Sequence, residues 1–311
     1  MALYRNELPQ LTGKTFLAYT GMETDLLFTQ GVDLLGFASY PLLETSRGRE
    51  LLTGYFTNLI EIGRESGLGV ILESPTWVAN RDRGAAIGYT PDRLIELNKQ
   101  AIALMAHIRD KNSDLPTVLS ANIGPRDDAY APADQMTADV AMAYHSEQVA
   151  ALSDTEVDLI SGYTVAYPQE ATGMVLAAKG FELPVIIAFT VETDGKLPNG
   201  ATLKSAIEEV DKATDGYSSY FMINCAHPDH FNDILSDEPW MQRLKGIVAN
   251  ASRCSHAELD EADELDDGDP AELGNQLAEI SRKYSQINIL GGCCGTDSRH
   301  LKQIANSISK A

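Results

Sequence analysis

Three of the four cysteines in this 311-residue chain stand where short apolar runs end. Cys293 and Cys294 lie in Gly291-Gly292-Cys293-Cys294-Gly295-Thr296, after Ile287-Asn288-Ile289-Leu290. Cys225 lies in Asn224-Cys225-Ala226-His227-Pro228, after Tyr220-Phe221-Met222-Ile223. Side chains at i and i+1 of a strand point to opposite faces, so adjacent sulfurs serve one centre only where the backbone turns sharply. The framing glycines permit that turn, because they reach positive φ with no Cβ penalty. The pair reads as two thiolate ligands for a soft metal, with Cys225 as a third. Two other readings stand beside it: buried structural cysteines, or a vicinal redox pair. Cys254 sits in a polar stretch and is not expected to join them.

Three thiolates with an open fourth position make a catalytic-type zinc site, whereas structural zinc has four protein ligands. An iron–sulfur cluster would want four cysteines. His227 and His230 follow Cys225 closely, either to close the site or as solvated residues of a helix start. An open zinc position among thiolates suits a substrate sulfur, which loses its proton there and becomes a nucleophile without a dedicated general base. Its target would be a methyl group on a small sulfonium or quaternary ammonium donor. The competing readings are a redox or metalloid-binding protein using the vicinal pair, and a non-catalytic binding protein.

Such residues must be brought together by the fold. Eight apolar runs of strand length recur between helical patterns: Phe16 to Tyr19, Gly69 to Glu73, Thr117 to Ala121, Val157 to Ser161, Val185 to Phe189, Ser219 to Ile223, Gly246 to Ala249 and Ile287 to Leu290. Near-continuous Val, Ile and Leu suits parallel strands covered on both faces. Thr90-Pro91, Thr137, Thr202, Asp269-Pro270 and Asp297-Ser298 carry helix-start signals. The pattern predicts an α/β fold, a single (β/α)8 TIM barrel over residues 1–311 with its active site at the C-terminal ends of the strands. A doubly wound open sheet is the alternative, but no Gly-x-Gly-x-x-Gly follows the first strand. In the barrel, Cys225 ends strand six and Cys293-Cys294 ends strand eight, so the three converge across one mouth.

Composition narrows the partners. A formal net charge of −21 argues against a nucleic-acid partner, which needs clustered Lys and Arg. The apolar segments are too short to span a membrane and the first ten residues lack a signal-peptide core, so a cytoplasmic protein is expected. A homo-oligomer is compatible with the sequence. The acidic run from Glu258 to Asp269 is expected to be a solvated loop, since calcium-ligand spacing is missing.

The motifs Asn224-Cys225 and Gly291 to Thr296 resemble the homocysteine S-methyltransferase family, a zinc-dependent barrel family. Weaker echoes run along most of the chain: Gly21-Met22-Glu23-Thr24, Thr76-Trp77, Ile123-Gly124-Pro125, Thr164, Asn199-Gly200 and Asn250. The resemblance implies zinc on Cys225, Cys293 and Cys294, homocysteine sulfur as fourth ligand, and methionine as product. It implies substrate contacts from Tyr19, Gly21, Met22, Glu73, Thr76, Trp77, Tyr163, Asn224 and Gly292. Two departures stand out. Tyr19 and Tyr163 occupy positions where the family usually carries the carboxylates that hold the substrate ammonium. A phenol lacks the charge-assisted contact of a carboxylate, and Glu73 either supplies the missing charge or is a solvated or paired strand-end residue. Tyr19, Trp77 and Tyr163 would form an aromatic wall able to attract an onium methyl. With no cobalamin- or folate-binding module after the barrel, S-methylmethionine, S-adenosylmethionine or betaine are the candidate donors.

Overall fold

The computed structural model describes residues 1–309. Eight parallel strands close into a barrel in sequence order: β1 (Phe16–Leu17), β2 (Gly69–Glu73), β3 (Thr117–Ile123), β4 (Leu159–Val165), β5 (Val185–Phe189), β6 (Tyr220–Asn224), β7 (Leu244–Ala249) and β8 (Ile289–Gly292). Closure is made by Phe16 opposite Ile289 and Leu17 opposite Leu290. Seven strands were placed by their apolar runs to within a few residues. β4 departs most: it begins at Leu159 and continues through Gly162-Tyr163-Thr164, where pairing with β5 rather than local composition keeps the chain extended. The β4–β5 register shifts between Tyr163 and Val165, and Thr164 adopts φ +60° at that bulge.

Helices cover the outside, and the capping residues start them. Thr90 accepts from the Arg93 amide at the start of helix Pro91–Lys111, Thr137 from Val140 before helix Ala138–Ser153, and Thr202 from Ser205 before helix Leu203–Thr214. Asp269 accepts from Ala271 and Glu272 before helix Pro270–Lys283. The long first connection holds short helical turns and then helix Ser46–Ser66. After β6 only short helical pieces follow, Pro228–Phe231, Asn232–Ile234 and Pro239–Arg243, so this side of the barrel lacks a full helix. Among the described residues no helix is long and apolar enough to cross a membrane.

The N-terminal segment closes the end of the barrel away from the cysteines. Buried Asp158 accepts from the Leu3 and Tyr4 amides at 2.8 Å each, and Arg5 donates to the Val157 carbonyl at 3.0 Å. A ligand therefore enters from the C-terminal mouth, where loops rather than strands supply the walls.

Candidate active site

Cys225 directly follows β6 with φ +54°, a conformation that turns its side chain out of the strand alternation. Its amide still donates to Val248 at 2.9 Å, and its carbonyl accepts from His256 Nε2 at 2.7 Å. Cys293 and Cys294 directly follow β8. The Cys293 amide donates to Ala249 at 2.6 Å, which ties the turn to β7. Two glycines make that turn possible: a Cβ on Gly292 would stand 2.2 Å from Thr296 Oγ1, and Gly295 adopts φ +76°. The result brings the sulfurs of Cys225, Cys293 and Cys294 within 4.8 Å of one another, the only such metal-competent group among the described residues. Exposed Cys254 lies apart. His227 caps a short helix, accepting from the Asp229 amide, and His230 bonds the Arg253 carbonyl; neither joins the thiols. His227 is buried rather than solvated.

The three thiols share charge unequally. Hydrogen bonds from the Cys293 and Cys294 thiols, with His256 nearby, pull Cys225 well below the ordinary thiol range, although burial opposes this. With that charge in place, Cys293 and Cys294 are pushed well up. Cys225 Sγ also accepts from Tyr130 Oη at 3.0 Å and faces Asn250 Nδ2 at 3.7 Å. The Tyr130 ring stacks on His256, centroids 3.9 Å apart and planes 25° apart. His256 Nδ1 meets Glu192 at 3.0 Å. Burial opposes its charge, yet Cys225 and Glu192 hold its pKa up to about 9. Tyr130 and Glu192 come from loops, and His256 opens the short helix His256–Asp260; no sequence motif marks any of them as a partner of the thiols.

Beside the thiols opens a cavity of about 460 Å³. Tyr19, Gly21, Trp77, Tyr163, Asn224, Cys293 and Cys294 line it, while Cys225 lies just beneath, under Tyr130. A larger hollow, about 860 Å³, lies outside against helix Ser46–Ser66 and contains no cysteine. The Tyr19 and Tyr163 rings are 6.3 Å apart, and Phe37 meets Trp77 edge-on at 6.4 Å. Trp77 Nε1 donates to the Tyr163 carbonyl at 3.1 Å, and Arg83 lies 5.2 Å over the Trp77 ring. The acidic run does not stay wholly in solvent: its acids are exposed apart from half-buried Asp267, but Leu259 and Leu265 turn inward and join the wall.

A family profile described as homocysteine S-methyltransferase matches residues 13–308. The chain belongs to the homocysteine S-methyltransferase family. It is thus a methyltransferase enzyme by family, with a closed (β/α)8 barrel. Among solved structures it resembles the homocysteine methyltransferase MmuM from Escherichia coli. The oxidized form matches with TM-score 0.72 at 17% identity over 94% of this chain and 96% of that one. The metallated form matches with TM-score 0.70 at 16% identity over 96% of each. At such identity the likeness concerns the fold.

Within this homocysteine S-methyltransferase barrel, not every expected substrate residue reaches the cavity. Met22 is buried and borders the outer hollow instead, Thr76 donates to the Asn122 carbonyl at 2.9 Å, and Gly292 packs under Thr296. Glu73 corrects an expectation. It points into the barrel interior, accepts from Ser161 Oγ at 2.5 Å, and does not line the cavity. Burial pushes its pKa up to about 7. The buried acid on the wall is Glu23, whose carboxylate accepts from Tyr19 Oη and, at 2.7 Å, from Ser39 Oγ. Glu23 lies within the Gly21-Met22-Glu23-Thr24 motif, whereas Glu73 was expected to serve because it ends a strand; Ser39, from the long first connection, carries no local signal.

Proposed function

We propose that the chain is a zinc-dependent S-methyltransferase that moves a methyl group from a small sulfonium or ammonium donor to homocysteine or a related thiol, giving methionine or an analogue. We read residues 1–311 as one homocysteine-binding-like barrel domain acting in the cytoplasm on small molecules. The observation that carries this reading is the trio of sulfurs within 4.8 Å, beside an aromatic-lined cavity at the C-terminal mouth.

The donor set fits zinc: three soft sulfurs, no fourth protein ligand, and a cavity alongside for a further sulfur. Held by Cys225, Cys293 and Cys294, zinc would supply the positive charge that makes a thiol acidic at neutral pH. The chain's own residues do the remaining work. Tyr130 and Asn250 hold the Cys225 sulfur in place, and His256 anchors its carbonyl. The rings of Tyr19, Trp77, Phe37 and Tyr163 offer π-faces to an onium methyl and exclude water from it. In the transfer, the acceptor sulfur forms a bond to the methyl carbon while the donor's C–S or C–N bond breaks. The electron pair leaves with the donor, which loses its positive charge, and the thiol proton passes to solvent. A vicinal redox pair would not need the third sulfur, so the redox reading is the weaker one.

The test is a screen of homocysteine and other small thiols against S-methylmethionine, S-adenosylmethionine and betaine, with zinc measured on the same preparation. Turnover of one thiol–donor pair by zinc-loaded protein, lost on chelation and restored by zinc, is the expected result. Equal turnover in metal-free protein, or none with any pair, would overturn the reading.

A further inference from the structure

Glu23 is an acid without a counter-charge in a place where that is costly. It is 7% exposed, lines the cavity, and spends its two carboxylate oxygens on the hydroxyls of Tyr19 and Ser39. Neither donor carries charge. Among the described residues none forms an ion pair with it, although Arg83 and His256 line the same cavity, and burial raises its pKa against the two hydrogen bonds. Removing a carboxylate from water is unfavourable by several kcal/mol unless a positive partner compensates it. The cavity side of Glu23 is where such a partner can stand.

The surroundings say what kind of cation fits. A carboxylate flanked by the Tyr19 and Tyr163 rings recognises organic cations. A fully methylated onium has no N–H and is served by ring faces alone, whereas Glu23 keeps lone pairs for N–H donors. The Tyr163 ring stands on the same wall, while its hydroxyl is buried towards Glu73 in the barrel interior. The loop that carries Glu23 abuts the thiols: a Cβ on Gly21 would touch the Cys293 carbonyl at 2.3 Å. A molecule with its sulfur at the cysteines thus has its primary ammonium within reach of this wall.

We propose that Glu23, oriented by Tyr19 and Ser39, is the specificity-determining counter-ion for the primary ammonium of an amino-acid thiol acceptor. This rests on the thiol-methyltransferase reading, but its test needs no turnover. Binding of L-methionine and of its desamino analogue, 4-(methylthio)butanoate, is measured calorimetrically on wild-type protein, Glu23→Gln and Glu23→Asp. Wild type is expected to prefer methionine at least about 10-fold, as for a hydrogen-bonded charged group. Glu23→Gln should lose that preference while binding the desamino analogue within about twofold of wild type, and Glu23→Asp should keep part of it. Glu23→Gln should also melt at the same or a higher temperature, since it removes a buried charge; a merely structural acid would lower it. Absence of methionine preference in wild type, or its survival in Glu23→Gln, overturns the assignment. So does a Glu23→Gln variant that loses tetramethylammonium binding but keeps the methionine preference, because Glu23 would then serve the donor. Methionine selectivity without any thiol methylation would leave this assignment standing and sink the methyltransferase reading instead.

Discussion

Asn224 holds Thr164 in the left-handed region from across the barrel. Its Oδ1 accepts from the Thr164 amide and its Nδ2 donates to Thr164 Oγ1, each at 2.9 Å. Thr164 sits at φ +60°, a conformation that costs a β-branched residue on the order of 1–3 kcal/mol unless the surroundings impose it. The bridge thereby fixes the backbone next to both Tyr163, one residue earlier, and Cys225, one residue after Asn224. Asn224→Ala is expected to lower stability by roughly 1–3 kcal/mol and to lower methyl-transfer activity further than stability alone explains. Denaturant melts and steady-state kinetics check this; an unchanged midpoint would mean that the bulge holds itself.

Three of the four cysteines should be interchangeable in what their loss does. Cys225→Ser, Cys293→Ser and Cys294→Ser are each expected to reduce bound zinc from about one per chain to near zero, whereas Cys254→Ser retains it. Elemental analysis after gel filtration decides the matter, and zinc loss in Cys254→Ser would place the centre elsewhere.

Tyr130 supplies a hydroxyl to the Cys225 sulfur and nothing else of comparable strength. Tyr130→Phe keeps the stack on His256 and removes that donor. Zinc affinity should fall roughly 10–100-fold, as for other partners of metal ligands, with the melting temperature nearly unchanged. Competition with a zinc-binding dye measures it; equal affinity in both proteins would reduce Tyr130 to a packing residue.

Much of this was legible in the sequence, and the exceptions share a cause. The strands and the two cysteine motifs are local signals: apolar runs bounded by turn residues, and glycines flanking thiols. Tyr130 and Ser39 lie on loops, and His256 opens a short helix at the end of one; the paths of these loops are set by the surface they cross, so no nearby residue predicts what the three touch. Glu73 and Glu23 show the limit within one site. Each ends or follows a strand, and which of the two faces the cavity depends on how the chain leaves the barrel, a property of tertiary packing.

The interior carboxyl of Glu73 should leave a pH signature on stability. Its folded pKa, about 7, lies above the ordinary carboxyl value of roughly 4.3. Between these values the unfolded chain is ionised while the folded one keeps its proton. The stabilising contribution is complete below about pH 4 and is lost as pH rises through about 7. Glu73→Gln should remove this slope and be more stable than wild type by on the order of 2–3 kcal/mol at pH 8. Urea titrations of both proteins from pH 4 to 8 test it, and parallel curves would count against it.

The mouth of the cavity carries exposed Asp128, Asp260, Glu264 and Asp266, on a chain with net charge −21. Such a rim makes the entrance an electrostatic valve that treats the two ends of the reaction differently. A sulfonium donor arrives positively charged and is drawn in; the thioether it becomes has lost that charge and is no longer held by the field. The expected signature is a donor kcat/KM that falls as ionic strength rises, while that of a neutral thiol hardly moves, and equal salt responses would dispose of the idea. Loops without a single catalytic group would then set the direction of traffic through the barrel.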